Sequence, residues 1–114
     1  NMMKKFALAT LLALSTSAVF ASNTGFQGQQ LTVKQALSAQ DGSVISLVGN
    51  ITQQINNDEY LFTDGADQIQ VEIKNRAWRG LSVGPQDKIR ISGKLDNDNF
   101  QRPEVEVFGV EKVQ

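Results

Sequence analysis

Three stretches of the chain place an apolar residue at every second position, and this period of two restricts the fold more than any other feature. Ile69, Val71 and Ile73 alternate with Gln68, Gln70, Glu72 and Lys74. Ile89, Ile91, Gly93 and Leu95 alternate with Lys88, Arg90, Ser92 and Lys94, and Ile45, Leu47, Gly49 and Ile51 with Ser46, Val48, Asn50 and Thr52. Successive side chains of a strand point to opposite faces, so each stretch reads as a strand with one face on a core and one in solvent. Tyr60 to Thr63 predicts a further short strand, in which the pattern leaves open whether Tyr60 and Phe62 or Leu61 face inward. Glu104 to Val113 predicts the last strand. Val105 and Val107 are in phase there, and Phe108-Gly109-Val110 breaks the phase as a bulge does.

The segments between the strands are short and rich in turn formers. Asp41-Gly42, Asn56-Asn57-Asp58, Asp64-Gly65-Ala66-Asp67 and Asp96-Asn97-Asp98-Asn99 all carry side chains that bond their own backbone in turns. Thr32 is placed to cap a short helix from Val33 to Ser38, with Val33, Ala36 and Leu37 on one face. Asn75 to Leu81 has the length of one or two helical turns before Gly84-Pro85 breaks it. Within it, Trp78 is expected to anchor the insert on the sheet, its indole N–H on a loop carbonyl. No strand alternates with a long helix, which disfavours a parallel sheet. Five short strands in an open sheet expose edges, and Gly49 and Gly93 favour the bending that closure needs. The expected fold is all-β with a small helical contribution: a five-stranded Greek-key barrel of the OB-fold type over 31–114. The insert between the third and fourth strands would plug one end. A small open sandwich is the alternative.

Residues 1–21 have a different character. Lys4 and Lys5 precede the apolar run Phe6 to Leu14, which is followed by polar Ser15 to Ser17 and by Ala18-Val19-Phe20-Ala21. That order is expected of a secretory signal peptide cleaved after Ala21, and the run is shorter than the roughly 20 apolar residues that span a bilayer. The alternative is a buried N-terminal helix. Asn1, ahead of Met2, is expected to be a remnant of expression. In a bacterium with two membranes the destination is the periplasm, with no stable membrane insertion after cleavage. Residues 22–30 are polar and are expected to form a flexible lead. Loss of Lys4 and Lys5, and of no acid, takes the formal charge from −1 to −3.

Composition then removes classes of chemistry. The chain has no cysteine and no histidine. It therefore has no disulfide framework, thiolate nucleophile, lipid-anchoring Cys, imidazole base or Ser-His triad. Phosphate contacts need clustered Lys and Arg, so the acidic balance argues against nucleic acid. No cofactor is expected, and a monomer is expected.

The ordered set of motifs carries a resemblance. Asp41-Gly42, Ile45-x-Leu47-x-Gly49-x-Ile51, Tyr60-x-Phe62-x-Asp64, Ile69-x-Val71-x-Ile73, Trp78-x-Gly80, Ile91-x-Gly93 and Asp96-x-Asp98 resemble the bacterial OB-fold (BOF) family of small exported proteins, the YgiW/YdeI-like stress-tolerance group. The resemblance runs from about Leu31 to Val113. It implies a periplasmic OB barrel associated with tolerance of oxidative, metal or acid stress, with no established catalytic residues. Asp64-Gly65-Ala66-Asp67 departs from the tighter Asp-x-x-Gly arrangement of that pattern, which leaves the register of its hairpin open.

Candidate site residues lie in two loops. Asp58, Glu59 and Tyr60 follow the first strand, and Asp96, Asp98 and Phe100 follow the fourth. In an OB barrel those loops flank the binding surface, where a small ligand, a cell-wall glycan or an envelope protein would be held without catalysis. The alternative is a divalent cation, or a carboxylate-dependent hydrolysis, at Asp96 and Asp98. Asp96-x-Asp98 is not an EF-hand, because Phe100 stands at its fifth position and Val107 at its twelfth. The simpler reading of these acids is turn formation. Tyr60 and Phe62 serve either as a stacking platform or as core. Lys88, Arg90 and Lys94 form an outward basic stripe that Glu104 and Glu106 have the parity to pair with.

Overall fold

The computed structural model describes residues 28–114. The expected signal peptide and most of the expected lead lie outside these residues. Six strands and two short helices follow one another: β1 (Gln29–Gln30), α1 (Val33–Leu37), β2 (Val44–Gln54), β3 (Glu59–Thr63), β4 (Gln68–Glu72), α2 (Asn75–Trp78), β5 (Ile89–Asp96) and β6 (Glu104–Lys112). The strands β2 to β6 are the five expected from the alternation. They form a ring in the order β2-β3-β4-β6-β5, closed by antiparallel pairing of β5 with β2. Every contact in the ring is antiparallel except β4 with β6, which is parallel. This is the OB-fold barrel, in which closure gives every strand two neighbours but leaves the first half of β2 with only β5 from the ring.

Gly49 sits where β2 changes partner. Val44 to Gly49 pair with β5, and Asn50 to Gln54 pair with β3. The strand bends from one side of the barrel to the other, and at the bend a Cβ on Gly49 would overlap the Thr63 carbonyl. Gly93 similarly lies under the Glu106 carbonyl. Beside it the register slips by one residue, from Ser92 opposite Gly109 to Gly93 opposite Val107, so Phe108 is bulged outward as its phase break predicts. The slip also resets charge pairing. Lys94 stands opposite Glu106, but Arg90 stands opposite Glu111 and forms its ion pair there at 2.7 Å.

The inward residues are those the period selected. Ile45, Leu47, Ile69, Val71, Ile73, Ile89, Ile91, Leu95, Val105 and Val107 are buried. Phe62 is fully buried between Ile51 and Ile69 of the neighbouring strands, which settles the face of β3 that its sequence left open. Among the described residues no helix is long and apolar enough to cross a membrane.

Two elements and one side chain depart from the sequence reading. Gln29–Gln30, read as part of a flexible lead, pairs parallel with Ile45 and Ser46. The free edge of β2 there offers backbone partners that a local pattern does not reveal, and Leu31 N continues the pairing to Ser46 O at 3.0 Å. The helical insert is a single turn, because Arg79 and Gly80 adopt positive φ (53° and 79°) directly after Trp78. Trp78 itself is half-buried. Among the described residues its indole N–H bonds no loop carbonyl, and its ring packs instead on Tyr60.

Both helices close the barrel, at opposite ends of the β3–β4 hairpin. Helix α1 contributes the fully buried Val33 and Ala36, and α2 contributes Ala77. Thr32 caps α1 as expected, and Gln35 completes a capping box by accepting from Thr32 N at 2.9 Å. Asp64 ties this helix to the hairpin. Its Oδ2 accepts from Val33 N at 3.0 Å, and its Oδ1 accepts from Ala66 N and Asp67 N, each at 3.0 Å. These bonds, the one from Val33 foremost, hold the Asp64 carboxyl below the usual carboxylate range. A lowered acid favours folding above its unfolded value of about 4, and that contribution fades as pH falls through the folded value. Asp64→Ala is therefore expected to cost about 2 kcal/mol in urea unfolding at pH 7. The gap to wild type should narrow below about pH 4; a gap unchanged at pH 3 would remove Asp64 as the tie.

Candidate functional site

The β2–β3 loop is built by Asn56. Its Oδ1 accepts from Asp58 N at 3.0 Å and Glu59 N at 2.9 Å, while its Nδ2 donates to Glu59 Oε1 at 2.7 Å. Asp58 lends its carbonyl to Ile73 N at 2.7 Å, which fastens the loop to the end of β4, just before α2. This loop presents Glu59 and Tyr60 on opposite sides of β3. Tyr60 shares the parity of Phe62 and reaches the barrel mouth, where it meets Trp78 edge to face, with ring centroids 5.7 Å apart and planes at 84°. The pair borders a groove of about 570 Å³ that Ile51, Leu81 and Val83 line with apolar surface and Gln54, Asn75 and Ser82 with neutral polar groups. Among the described residues, no charged side chain lines it.

The β5–β6 loop lies elsewhere. Asn97 docks it on the α1–β2 connection, donating its backbone N–H to Asp41 Oδ1 at 2.8 Å and its Nδ2 to Ala39 O at 2.9 Å. Asp98 Oδ1 accepts from Phe100 N at 3.1 Å, a local turn bond, and Asn99 carries φ 74°. Phe100 is 91% exposed. Asp96 ends β5 opposite Glu104. Among the described residues no three acidic side chains converge to hold a metal ion, so the structure does not bring Asp58 and Glu59 together with Asp96 and Asp98 as a cation site.

A second group on the outer face escaped sequence reasoning. Gln70 of β4 donates from Nε2 to Glu59 Oε2 at 3.1 Å and to Glu104 Oε2 at 3.0 Å. Burial, then the hydrogen bond with Glu59, pushes the Glu104 carboxyl up to about 7, opposed by Gln70 and reinforced by the charges of Glu59 and Glu72. Glu59 is held below the usual carboxylate range, first by the bond from Glu104 and next by Asn56. Only knowledge that β4 and β6 are neighbours would have revealed this group, since outward parity is common to every strand.

A closed five-strand ring with an aromatic groove at its mouth and polar side chains over its outer face defines a small OB barrel. The family model described as bacterial OB fold (BOF) protein matches residues 13–112, and the chain belongs to that family. It is 54% identical to an uncharacterized protein of Haemophilus influenzae, over 98% of this chain and all of the other. It is 33% identical to protein YgiW of Escherichia coli, over 97% of this chain and 98% of YgiW. The solved structure of YgiW superposes with a TM-score of 0.71 at 36% identity, covering 75% of this chain and 91% of that one. The calcium-regulated OB-fold protein CarO of Pseudomonas aeruginosa is 29% identical, over 91% of this chain and 89% of CarO.

Proposed function

We propose that this protein is a non-enzymatic binding module of the periplasm that contributes to envelope stress tolerance. Its ligand is an uncharged molecule with a flat apolar face and hydroxyl or amide groups, of the cell-wall glycan class. The observation that carries this reading is the groove at Tyr60 and Trp78. Two aromatic rings offer faces and edges to a sugar ring, while Gln54, Asn75 and Ser82 offer neutral donors and acceptors. A charged ligand would find no counter-charge in that lining. Export is supported by the leader-like order of residues 4–21, and the stress role by the resemblance of the motif set.

Trp78 is the single tryptophan of the chain, so its fluorescence reports on the groove directly. Titration with soluble cell-wall glycan fragments is expected to give a saturable change in Trp78 emission. Tyr60→Ala, with its fold checked by circular dichroism, should weaken binding about tenfold, the equivalent of one lost aromatic contact. Absence of a saturable signal with the glycan fragments, or binding indifferent to Tyr60→Ala, would remove the groove as the site. Single-stranded DNA at physiological salt is expected to give no binding.

A further inference from the structure

Glu59 and Glu104 stand on strands that do not touch, since β4 lies between β3 and β6. Gln70 nevertheless bonds one oxygen of each with the same amide nitrogen. Two carboxylates drawn to one amide nitrogen repel each other when both are ionised, which favours a proton on one of them.

The charge of Glu72 adds to this repulsion. On β4, Glu72 stands opposite Glu59, and on β6, Glu106 stands beside Glu72. On β5, Asp96 is opposite Glu104 and Lys94 is opposite Glu106. Arg102 precedes β6 and borders the hollow beside Gln70. Among the described residues neither Lys94 nor Arg102 forms a salt bridge with Glu59 or Glu104.

The position matters for the barrel. The β4–β6 contact is the parallel one, and it consists of three register pairs: Gln70 with Glu104, Val71 with Val105, and Glu72 with Glu106. Two of those three pairs carry the side chains just described. We propose that Glu59, Gln70 and Glu104 form a one-proton clasp across the β4–β6 seam, closed while the pair holds its proton and weakened when the proton leaves to solvent. The departing proton leaves two carboxylates competing for one amide group, beside the charges of Glu72 and Glu106. The folded pair keeps its proton up to about pH 7, whereas unfolded Glu104 would release it near 4.5. The clasp's contribution to folding is therefore fully present below about pH 4.5 and is lost as pH rises through 7. This device does not depend on what occupies the groove at Trp78.

The test combines carboxyl carbon NMR with amide hydrogen exchange on the full chain between pH 4 and 9. One glutamate carboxyl, assigned to Glu104, is expected to titrate near 7 in the wild type. Protection of the seam amides in β4 and β6, taken relative to the β2–β5 pairing, should fall several-fold as pH rises from about 4.5 through 7 and level off above it. Glu104→Gln keeps the size and a donor without the charge, and should abolish both the titration and the fall in protection. Glu59→Gln should bring the Glu104 midpoint down by about one unit, because the shared proton loses its charged acceptor. The clasp is overturned if all carboxyls titrate in the ordinary range, or if Glu59→Gln leaves the Glu104 midpoint in place. It is equally overturned if seam protection in Glu104→Gln still falls with pH as in the wild type.

Discussion

Gly49→Ala is expected to lower stability by about 3 kcal/mol, read as a fall of roughly 12–24 °C in Tm. The cost comes from one methyl group at the place where β2 leaves β5 and takes up β3. A Cβ there overlaps the Thr63 carbonyl oxygen, a backbone atom held by the β3–β4 hairpin that cannot rotate away as a side chain would. Relief requires β2 and β3 to separate next to the Asn50–Thr63 pair, which strains the barrel at its bend. Gly42→Ala is the natural control for added side-chain volume, since a Cβ there meets open space; its own cost would arise from its φ of 85° alone. Thermal unfolding of the two variants separates the mechanisms, and a Gly49→Ala protein as stable as wild type would show that the strand crossing has room for a methyl group.

Phe62→Ala is expected to cost about 4 kcal/mol, a large part of the roughly 5–10 kcal/mol that holds a domain of this size together. Phe62 is fully buried, and its neighbours across the sheet, Ile51 and Ile69, come from two different strands. Removing the ring opens a cavity that a closed barrel cannot fill, because each inward side chain is fixed by strand pairing on both sides. Urea unfolding measures the loss. Phe62→Leu, which returns most of the volume, should recover more than half of it; equal losses in the two variants would mean that volume at this site is not what Phe62 supplies.

The inward half of the barrel was legible because it is written locally. Val105 and Val107 announce the last strand, and the phase break at Phe108 announces its bulge within a few residues. Thr32 likewise identifies the start of α1, whereas the reciprocal bond of Gln35 shows only in the folded helix. The outward half was far less legible. Asp58, Glu59, Asp96 and Asp98 invite the idea of a shared acidic site because they occupy two loops of one fold. In the structure one loop is fastened to Ile73 and the other to Ala39 and Asp41. Of the candidate residues, Tyr60 meets Trp78, Glu59 meets Gln70 and Glu104, and Phe100 stands in solvent.

From its sequence alone this protein is an all-β chain with its inward residues chosen, its turns placed and its catalytic options reduced to carboxylates, amines and hydroxyls. Only the tertiary structure decided that β1 covers the edge of β2, that Tyr60 and Trp78 border one groove, and that Gln70 joins Glu59 to Glu104. The physical reason is the difference in range. Alternation follows from the geometry of a single extended backbone, so a short stretch suffices to express it. Which outward side chains become neighbours depends on strand order, register and a one-residue slip at Phe108, and these are settled by closing the ring as a whole.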